Sequence, residues 1–254
     1  MAAASDKRAL VVGISGCSSS GKTTLARLLR DIFPSSLILH EDDFYKPETE
    51  LPHTNGLLDW DCAEAIRVAA MAEALSYIRQ HASFPPTLES IEDQNAVGEC
   101  PVNEAAIAAL KAMVASSLHA SHPLHSPLRL CLLDGFLLYS PSMAPLLNPC
   151  LDLKLFVRAS YARTKARREA RPGYVTIEGF WQDPPGYVDS VVWPNYLVHH
   201  AWMFDGGDVE GRFQDRAIDE AGIHVLKEAP VDADMEVLLR WMVDMILAEL
   251  QKHS

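Results

Sequence analysis

Eight residues near the amino terminus have the spacing of a phosphate-binding loop: Gly16, Cys17, Ser18, Ser19, Ser20, Gly21, Lys22 and Thr23, with Thr24 next in the chain. The apolar run before them predicts a strand, and the residues from Lys22 onward predict a helix. Backbone N–H groups and a helix N-terminus bind phosphate in such loops, Lys22 would reach the outer phosphates, and Thr23 would ligate Mg²⁺. We therefore expect a bound nucleoside triphosphate, the alternative being a chance match in a turn.

Acidic residues follow two other predicted strands. Asp42 and Asp43 come after the apolar run 37–40, and Asp134 ends the run 128–133. Because ligands of open parallel sheets lie outside the carboxyl ends of the strands, these carboxylates would face the phosphate loop. Asp42 or Asp43 is thus a candidate general base, and Asp134 a candidate partner of Mg²⁺. The alternatives are a solvated acidic turn in the first case and a turn aspartate before Gly135 in the second.

Trp60 and Asp61 precede a segment with helical spacing of its apolar residues. Asp61 with Glu64 three residues later resembles a capping box, so Asp61 could simply begin the helix. Equally, Trp60 could stack on a base while Asp61 accepts hydrogen bonds from ribose hydroxyls. Both interpretations remain open from the sequence.

A basic cluster follows the apolar run 151–157. Ser160 is predicted to cap a helix that ends before Pro172 and carries Arg163, Lys165, Arg167, Arg168 and Arg171. In an acidic chain such a cluster is suited to cover a transferring phosphoryl group, although a solvated basic face is the alternative. The turn at 172–173 would serve as a hinge, so residues of about 160–190 are predicted to form a lid.

The elements that must position these residues are five short apolar strands alternating with helices. This pattern predicts an α/β fold with a doubly wound parallel sheet and helices on both faces. We expect one domain over residues 1–254, with an insertion at about 83–126 whose composition is typical of a surface decoration. Within it Asn103 is predicted to cap a helix, and His119, His122 and His125 to lie in a loop rather than to bind metal. No role is predicted for 203–222.

Composition excludes several other functions. The formal net charge is −12, which disfavours tracking of a nucleic-acid backbone. The five cysteines contain no Cys-x-x-Cys pair and suggest neither a disulfide framework nor a zinc site. No signal peptide or membrane-spanning run is recognisable, so the expected location is cytoplasmic.

Five stretches together resemble the nicotinamide riboside kinases, a branch of the uridine-kinase-like P-loop kinases: GISGCSSSGKTTLARLL, EDDFYKPE, GLLDWDCAEAI, LLDGFLLY and PPGYVDSVVWPNY. The resemblance implies a P-loop nucleoside-kinase fold of five parallel strands with an arginine-rich lid. It also implies ATP and Mg²⁺ as cofactors, a small-molecule nucleoside as the partner, and a monomer or homodimer. The implied reaction transfers the γ-phosphoryl group of ATP to the 5′-hydroxyl of nicotinamide riboside, and possible acceptors include nicotinic acid riboside.

The resemblance also implies roles for individual residues. Catalysis would involve Asp42 as base with Lys22, Arg167 and Arg171, and the metal would lie near Thr23, Asp42 and Asp134. The substrate would contact Asp42, Phe44, Tyr45, Trp60, Asp61, Arg168 and Tyr174. The nucleotide would contact the loop residues 16–24, Arg167 and Arg171, with adenine near 228–232. The alternatives are a uridine/cytidine kinase or a non-catalytic nucleotide-binding regulator; a GTP switch lacks its Asn-Lys-x-Asp motif here.

Overall fold

The computed structural model describes residues 8–90, 100–118, 128–176 and 179–252. The histidines His119, His122 and His125 lie outside these ranges. The strands are β1 (Ala9–Ser15), β2 (Ser36–His40), β3 (His53–Thr54), β4 (Leu57–Leu58), β5 (Arg129–Asp134), β6 (Leu153–Phe156), β7 (Tyr174–Thr176), β8 (Gly179–Trp181) and β9 (Ile223–Val225). The α-helices are α1 (Lys22–Ile32), α2 (Val68–His81), α3 (Glu104–Ser117), α4 (Ala144–Leu147), α5 (Tyr161–Glu169), α6 (Trp193–His200), α7 (Asp215–Ala221) and α8 (Met235–Gln251).

The central sheet has five strands in the order β2-β5-β1-β6-β9, and all its neighbours are parallel. The predicted five-stranded parallel sheet is therefore confirmed. β1 lies in the middle, so the phosphate loop emerges between β5 and β6. Two small antiparallel pairs, β3 with β4 and β7 with β8, lie apart from this sheet.

The hydrophobic core has two halves because successive side chains of a strand point to opposite faces. In β1, Leu10, Val12 and Ile14 pack with α1, α3 and α8, whereas Ala9 and Val11 belong to the half that contains α2, α4 and α7. Each fully buried leucine or isoleucine stabilises the fold by about 1.5–3 kcal/mol relative to exposure. The predicted helices on both faces are confirmed.

Helix α3 corrects the expectation that residues 83–126 only decorate the surface. Its side chains Leu110 and Val114 are each 1% exposed and lie in the same half of the core as α1 and α8. The helix begins as predicted, because Asn103 Oδ1 accepts a hydrogen bond of 2.8 Å from the Ala105 N–H. The alanine-rich composition of the segment does not indicate that its larger apolar residues Leu110 and Val114 pack in the core.

Of the two interpretations that the sequence leaves open for Asp61, the structure contradicts the helix cap. Helix α2 begins at Val68, and a short 3₁₀ turn at Ala63–Ala65 separates it from Asp61. The intervening backbone is held extended by the chain after β2, since the Arg67 N–H donates to the Phe44 carbonyl and the Lys46 N–H to the Ala65 carbonyl, both at 2.8 Å. These backbone hydrogen bonds outweigh the helical pattern of the side chains.

Each of the five cysteines is a free thiol. In the part of the chain that the structure describes, no helix has an apolar stretch long enough to cross a membrane.

Candidate active site

The phosphate loop connects β1 to α1, the order of elements that its sequence predicts. Gly16 has a φ of +150°, and a Cβ atom there would lie 1.9 Å from the carbonyl oxygen of Val157. Gly21 has a φ of +101° and directly precedes α1. Both positions therefore require glycine, because any side chain would strain or displace the loop.

Lys22 begins α1 and is 7% exposed. Its ammonium group donates a hydrogen bond of 2.9 Å to the Cys17 carbonyl oxygen, so the side chain folds back along the loop. A buried ammonium at this place provides the positive charge that a triphosphate needs.

Thr23 and Asp134 meet at the carboxyl end of the sheet. The Thr23 hydroxyl donates a hydrogen bond of 2.7 Å to Asp134 Oδ2, and His40 Nδ1 lies 3.3 Å from the same oxygen. Burial alone would raise the pKa of Asp134, but the hydrogen bond from His40 and the positive charge of Lys22 lower it below its ordinary value. Asp134 therefore stays ionised beside the phosphate loop. Nothing in the sequence indicates that His40, the last residue of β2, contacts Asp134.

The acidic residues after β2 form a 3₁₀ turn at Glu41–Phe44. Burial, followed by the negative charge of Asp134, raises the pKa of Asp42 to about 6. Asp42 is more exposed than Asp43, which is 7% exposed. Between the two, the structure thus favours Asp42 as the carboxylate able to accept a proton near neutral pH.

Glu41 is fully buried and connects this turn to the chain after β5. Its Oε2 accepts hydrogen bonds from the N–H groups of Phe136 at 2.5 Å and Leu137 at 3.1 Å. Burial raises its pKa to about 8. Glu41 therefore fixes the turn that carries Asp42 against the strand end that carries Asp134, a link that the sequence did not indicate.

The residues at this strand end fit a bound Mg²⁺. Asp134 Oδ1 is buried without a hydrogen-bond partner among the described residues, and the two carboxylates repel each other. No group of three or more His, Cys, Asp and Glu side chains suited to a metal occurs in the described ranges. Mg²⁺ usually takes one or two carboxylates and completes its shell with phosphates and water, a requirement that Asp42 and Asp134 fit.

Helix α5 brings the arginine cluster to the phosphate loop. It begins as predicted, with Ser160 Oγ accepting a hydrogen bond from the Arg163 N–H. Arg167 Nη1 lies 3.2 Å from the carbonyl oxygen of Ser19 and 3.3 Å from that of Ser20. The cluster is therefore not merely a solvated surface.

Arg168 is the most connected side chain of the helix. It makes two parallel hydrogen bonds to Asp61, of 3.0 and 3.1 Å, two to Asp183, of 2.6 and 3.2 Å, and one of 2.6 Å to the hydroxyl of Ser18. Burial works against the charge of Arg168, but Asp61 and Asp183 outweigh it and hold its pKa above the ordinary range. Asp183, which was given no role from sequence, balances the charge of this arginine together with Asp61.

Helix α5 ends at Glu169, so Arg171, which the sequence places on this helix, lies beyond its end, as does Tyr174 in β7. The ring of Tyr174 is 5.1 Å from the guanidinium carbon of Arg168 and 5.1 Å from that of Arg171, the geometry of cation–π contacts. Arg171 is exposed, and its described contact is with this ring. Its role on the phosphates stays a prediction.

An aromatic cluster lies beside Asp61. Trp60 is 5% exposed; the ring of Tyr45 meets it edge-on at 5.0 Å, and that of Trp181 lies 5.6 Å away. Phe44 is 4% exposed and packs in the core with α2, and its contact with the substrate stays a prediction.

The segment that carries Trp60 and Asp61 is held in place by hydrogen bonds with residues to which the sequence analysis assigned no role. The Tyr187 hydroxyl accepts a hydrogen bond from the Trp60 N–H and donates one to the Leu58 carbonyl. Asp59 is 2% exposed and accepts hydrogen bonds from Asn195, Thr54 and the Asp61 N–H. The only signal in the sequence was the density of turn residues and aromatics in 183–196.

The site thus unites most of the predicted residues. The phosphate loop, Asp42, Asp134, Arg167 and the pair Asp61–Arg168 lie along one end of the sheet. In the predicted adenine segment 228–232, Asp232 accepts hydrogen bonds from the N–H and hydroxyl of Ser160, which attaches the segment to the start of α5. Contact of that segment with adenine stays a prediction.

A parallel sheet with a phosphate loop, a neighbouring strand-end carboxylate and an arginine helix defines the class of P-loop kinases. No protein-family model matches the chain. It is 41% identical to a nicotinamide riboside kinase of Schizosaccharomyces pombe, covering 84% of this chain and 88% of that protein. It is 36% identical to the nicotinamide riboside kinase of Eremothecium gossypii, covering 88% of this chain and 92% of that protein. It is 34% identical to that of Saccharomyces cerevisiae, covering 83% of this chain and 85% of that protein. The chain belongs to the nicotinamide riboside kinase family.

Proposed function

We propose that this protein transfers the γ-phosphoryl group of ATP to the 5′-hydroxyl of nicotinamide riboside, with Mg²⁺, and so supplies a mononucleotide for NAD synthesis. One structural observation supports the proposal in addition to the membership of the family. Two consecutive residues of α5 reach two different parts of the site, Arg167 the phosphate loop and Arg168 the carboxylate of Asp61. A donor nucleotide and a riboside would thereby bind within one crevice.

On the donor side, the phosphate loop and Lys22 bind the triphosphate, and Thr23 with Asp134 would hold the Mg²⁺. When bound, the metal would supply positive charge that stabilises the transferring phosphoryl group. Arg167 lies against the loop and adds a second positive charge, and Arg171 is assigned the same task when the lid residues approach the nucleotide. Phosphoryl transfer depends mainly on such positioning and charge stabilisation.

On the acceptor side, Asp42 accepts the proton of the 5′-hydroxyl as that oxygen attacks phosphorus. Its pKa of about 6 suits a base that is ionised at neutral pH. Asp61 and Arg168 bind the ribose hydroxyls, exchanging part of their mutual hydrogen bonding for bonds to the sugar. Trp60 and Tyr45 contact the pyridine ring, whose positive charge favours an aromatic surface.

The test is release of ADP from ATP and Mg²⁺ with four acceptors in parallel: nicotinamide riboside, nicotinic acid riboside, uridine and cytidine. We expect the highest kcat/KM with nicotinamide riboside. Exclusive turnover of uridine and cytidine would identify a pyrimidine nucleoside kinase instead, and binding of ATP without any turnover would identify a non-catalytic regulator. Trp60→Ala should raise the KM for the riboside more than the KM for ATP.

We further propose a cytoplasmic enzyme that acts as a monomer or homodimer without nucleic acid or membrane. The free thiols are typical of a reducing compartment, and the acidic net charge of −12 opposes binding to nucleic acid.

A further inference from the structure

Arg158, two residues beyond the end of β6, connects parts of the chain that are distant in sequence. Its half-buried guanidinium group donates hydrogen bonds to the carbonyl oxygens of Gly211 at 2.5 Å and of Ala229 at 3.2 Å. It also lies over the ring of Phe213, 4.6 Å from the ring centre. One side chain thus joins the chain after β6 to the chain before α7 and to the chain after β9.

The first of these segments, the loop 204–213 before α7, is packed against the core. The rings of Phe204 and Phe213 at its two ends stack with their centres 4.8 Å apart. Both rings meet that of Phe156 in β6 edge-on, at 6.4 and 6.3 Å, and Val209 between them is 2% exposed. The loop therefore offers Arg158 a fixed surface.

The second segment, 226–232, leads from β9 to the phosphate loop. Arg158 binds it at the Ala229 carbonyl, and it continues into α8, whose first residue is Met235. The side chain of Met235 lies against the phosphate loop, since a Cβ atom on Gly21 would be 2.6 Å from its terminal methyl carbon. The position of this segment is thus set between Arg158 and the phosphate loop.

The strand order indicates which substrate lies beside these segments. Asp42 and Asp134, on the acceptor side, follow β2 and β5, whereas Arg158 and the segment 226–232 follow β6 and β9. The phosphate loop follows β1, between the two pairs of strands. Because the attacking and leaving oxygens lie roughly in line with phosphorus, the acceptor and the rest of the donor occupy opposite sides of the transferred group. The nucleoside end of the donor is therefore expected on the side of β6 and β9.

From this arrangement we infer that Arg158 is a positioning residue for the donor, which raises the affinity for ATP by holding the segment 226–232 against the loop 204–213. Arg158 acts through these two segments and does not itself bind the nucleotide. The inference rests on the proposed function, because it takes ATP as the donor. A planar guanidinium group can bind two carbonyl oxygens and stack on a ring at the same time, which the ammonium group of a lysine cannot do.

The experiment compares Arg158→Ala and Arg158→Lys with Arg212→Ala, a matched control because Arg212 is an exposed arginine of the same loop. Calorimetry with Mg²⁺ present measures the Kd of a non-hydrolysable ATP analogue and that of inorganic tripolyphosphate, which has three phosphates and no nucleoside. We expect Arg158→Ala to raise the Kd of the ATP analogue about tenfold, the effect of losing a hydrogen bond from a charged group. The Kd of tripolyphosphate should change little, because the phosphate loop is untouched. Arg158→Lys should be intermediate, and Arg212→Ala should resemble the wild type.

Several results would overturn the inference. An unchanged Kd of the ATP analogue in Arg158→Ala would mean that the contacts of Arg158 do not affect the donor. Equal losses of affinity for the ATP analogue and for tripolyphosphate would indicate a general structural role. An equal loss in Arg212→Ala would indicate only the removal of positive charge near an anion. Turnover by the wild-type protein tests the proposed function, whereas these Kd values need no acceptor, so the two can fail separately.

Discussion

The hydroxyl of Thr23 donates a hydrogen bond of 2.7 Å to Asp134 Oδ2 across 111 residues of sequence. The bond joins the first turn of α1 to the carboxyl end of β5, and so holds together two of the groups assigned to Mg²⁺. Because β5 is the immediate neighbour of β1 in the sheet, the register of two parallel strands sets this contact.

Replacing Asp134 with asparagine should weaken the binding of Mg²⁺ during turnover. The amide retains the size of the side chain but loses its charge, so we expect the Mg²⁺ concentration for half-maximal rate to rise at least about tenfold. Magnesium titrations of the initial rate measure this. Asp244→Asn on the exposed side of α8 is the control. Equal magnesium curves for both variants would remove Asp134 from the metal site.

Replacing Asp42 with asparagine should separate catalysis from nucleotide binding. Loss of the proton acceptor is expected to lower kcat at least about a hundredfold. The Kd for ATP should change little, because the phosphate loop is untouched. Steady-state kinetics and calorimetry measure the two quantities. Near-normal kcat would show that another group takes the proton.

Replacing Arg168 with alanine should destabilise the protein. Asp61 would remain buried without its partner, and an uncompensated buried charge costs about 3–5 kcal/mol. Urea unfolding measures the loss of free energy. In the matched variant Arg171→Ala the exposed side chain is removed, with an expected change within about 0.5 kcal/mol. Similar losses of unfolding free energy in both variants would show that Arg168 and Asp61 do not form a buried ion pair in solution.

Replacing Glu41 with glutamine should change how stability depends on pH. Burial raises the pKa of Glu41 from 4.5 to about 8 in the folded protein. Between these pH values the folded state keeps a proton that the unfolded state releases. The free energy of unfolding therefore falls as pH rises, by at most about 1.4 kcal/mol per pH unit.

Glutamine resembles the protonated acid and cannot release a proton, so Glu41→Gln should lose less stability than the wild type between pH 5 and pH 8. Urea unfolding at both pH values checks this. Parallel declines in the two proteins would mean that Glu41 is already ionised in the folded state.

The sequence was sufficient to predict those parts of the fold and of the candidate site that a local pattern determines. The phosphate loop, the five strands and the cap at Ser160 each depend on neighbouring residues, and each appears where predicted. Asp134 was placed beside the loop because strand ends of a parallel sheet share an edge. The spacing of the glycines in the phosphate loop and the lengths of the five strands could be predicted without knowing any contact between distant segments.

Contacts between distant segments could not be predicted in the same way. Asp61 had the pattern of a helix cap, yet its partner is Arg168, 107 residues away. Backbone hydrogen bonds to the chain after β2 hold Ile66 extended between the 3₁₀ turn and α2, and nothing near Asp61 in the sequence indicates them. Trp181, Asp183 and Tyr187 likewise acquire their positions from the packing of residues 181–188 against the segment 58–61.

The two adjacent arginines of α5 have one more consequence. A single helix carries both the contact to the phosphate loop and the contact to Asp61, so a movement that improves one contact alters the other. If ATP changes the affinity for the acceptor by shifting α5, the acceptor must change the affinity for ATP by the same factor. In this chain the binding of one substrate is therefore expected to change the affinity for the other through the nine residues of helix Tyr161–Glu169, in addition to their contact at the reacting atoms.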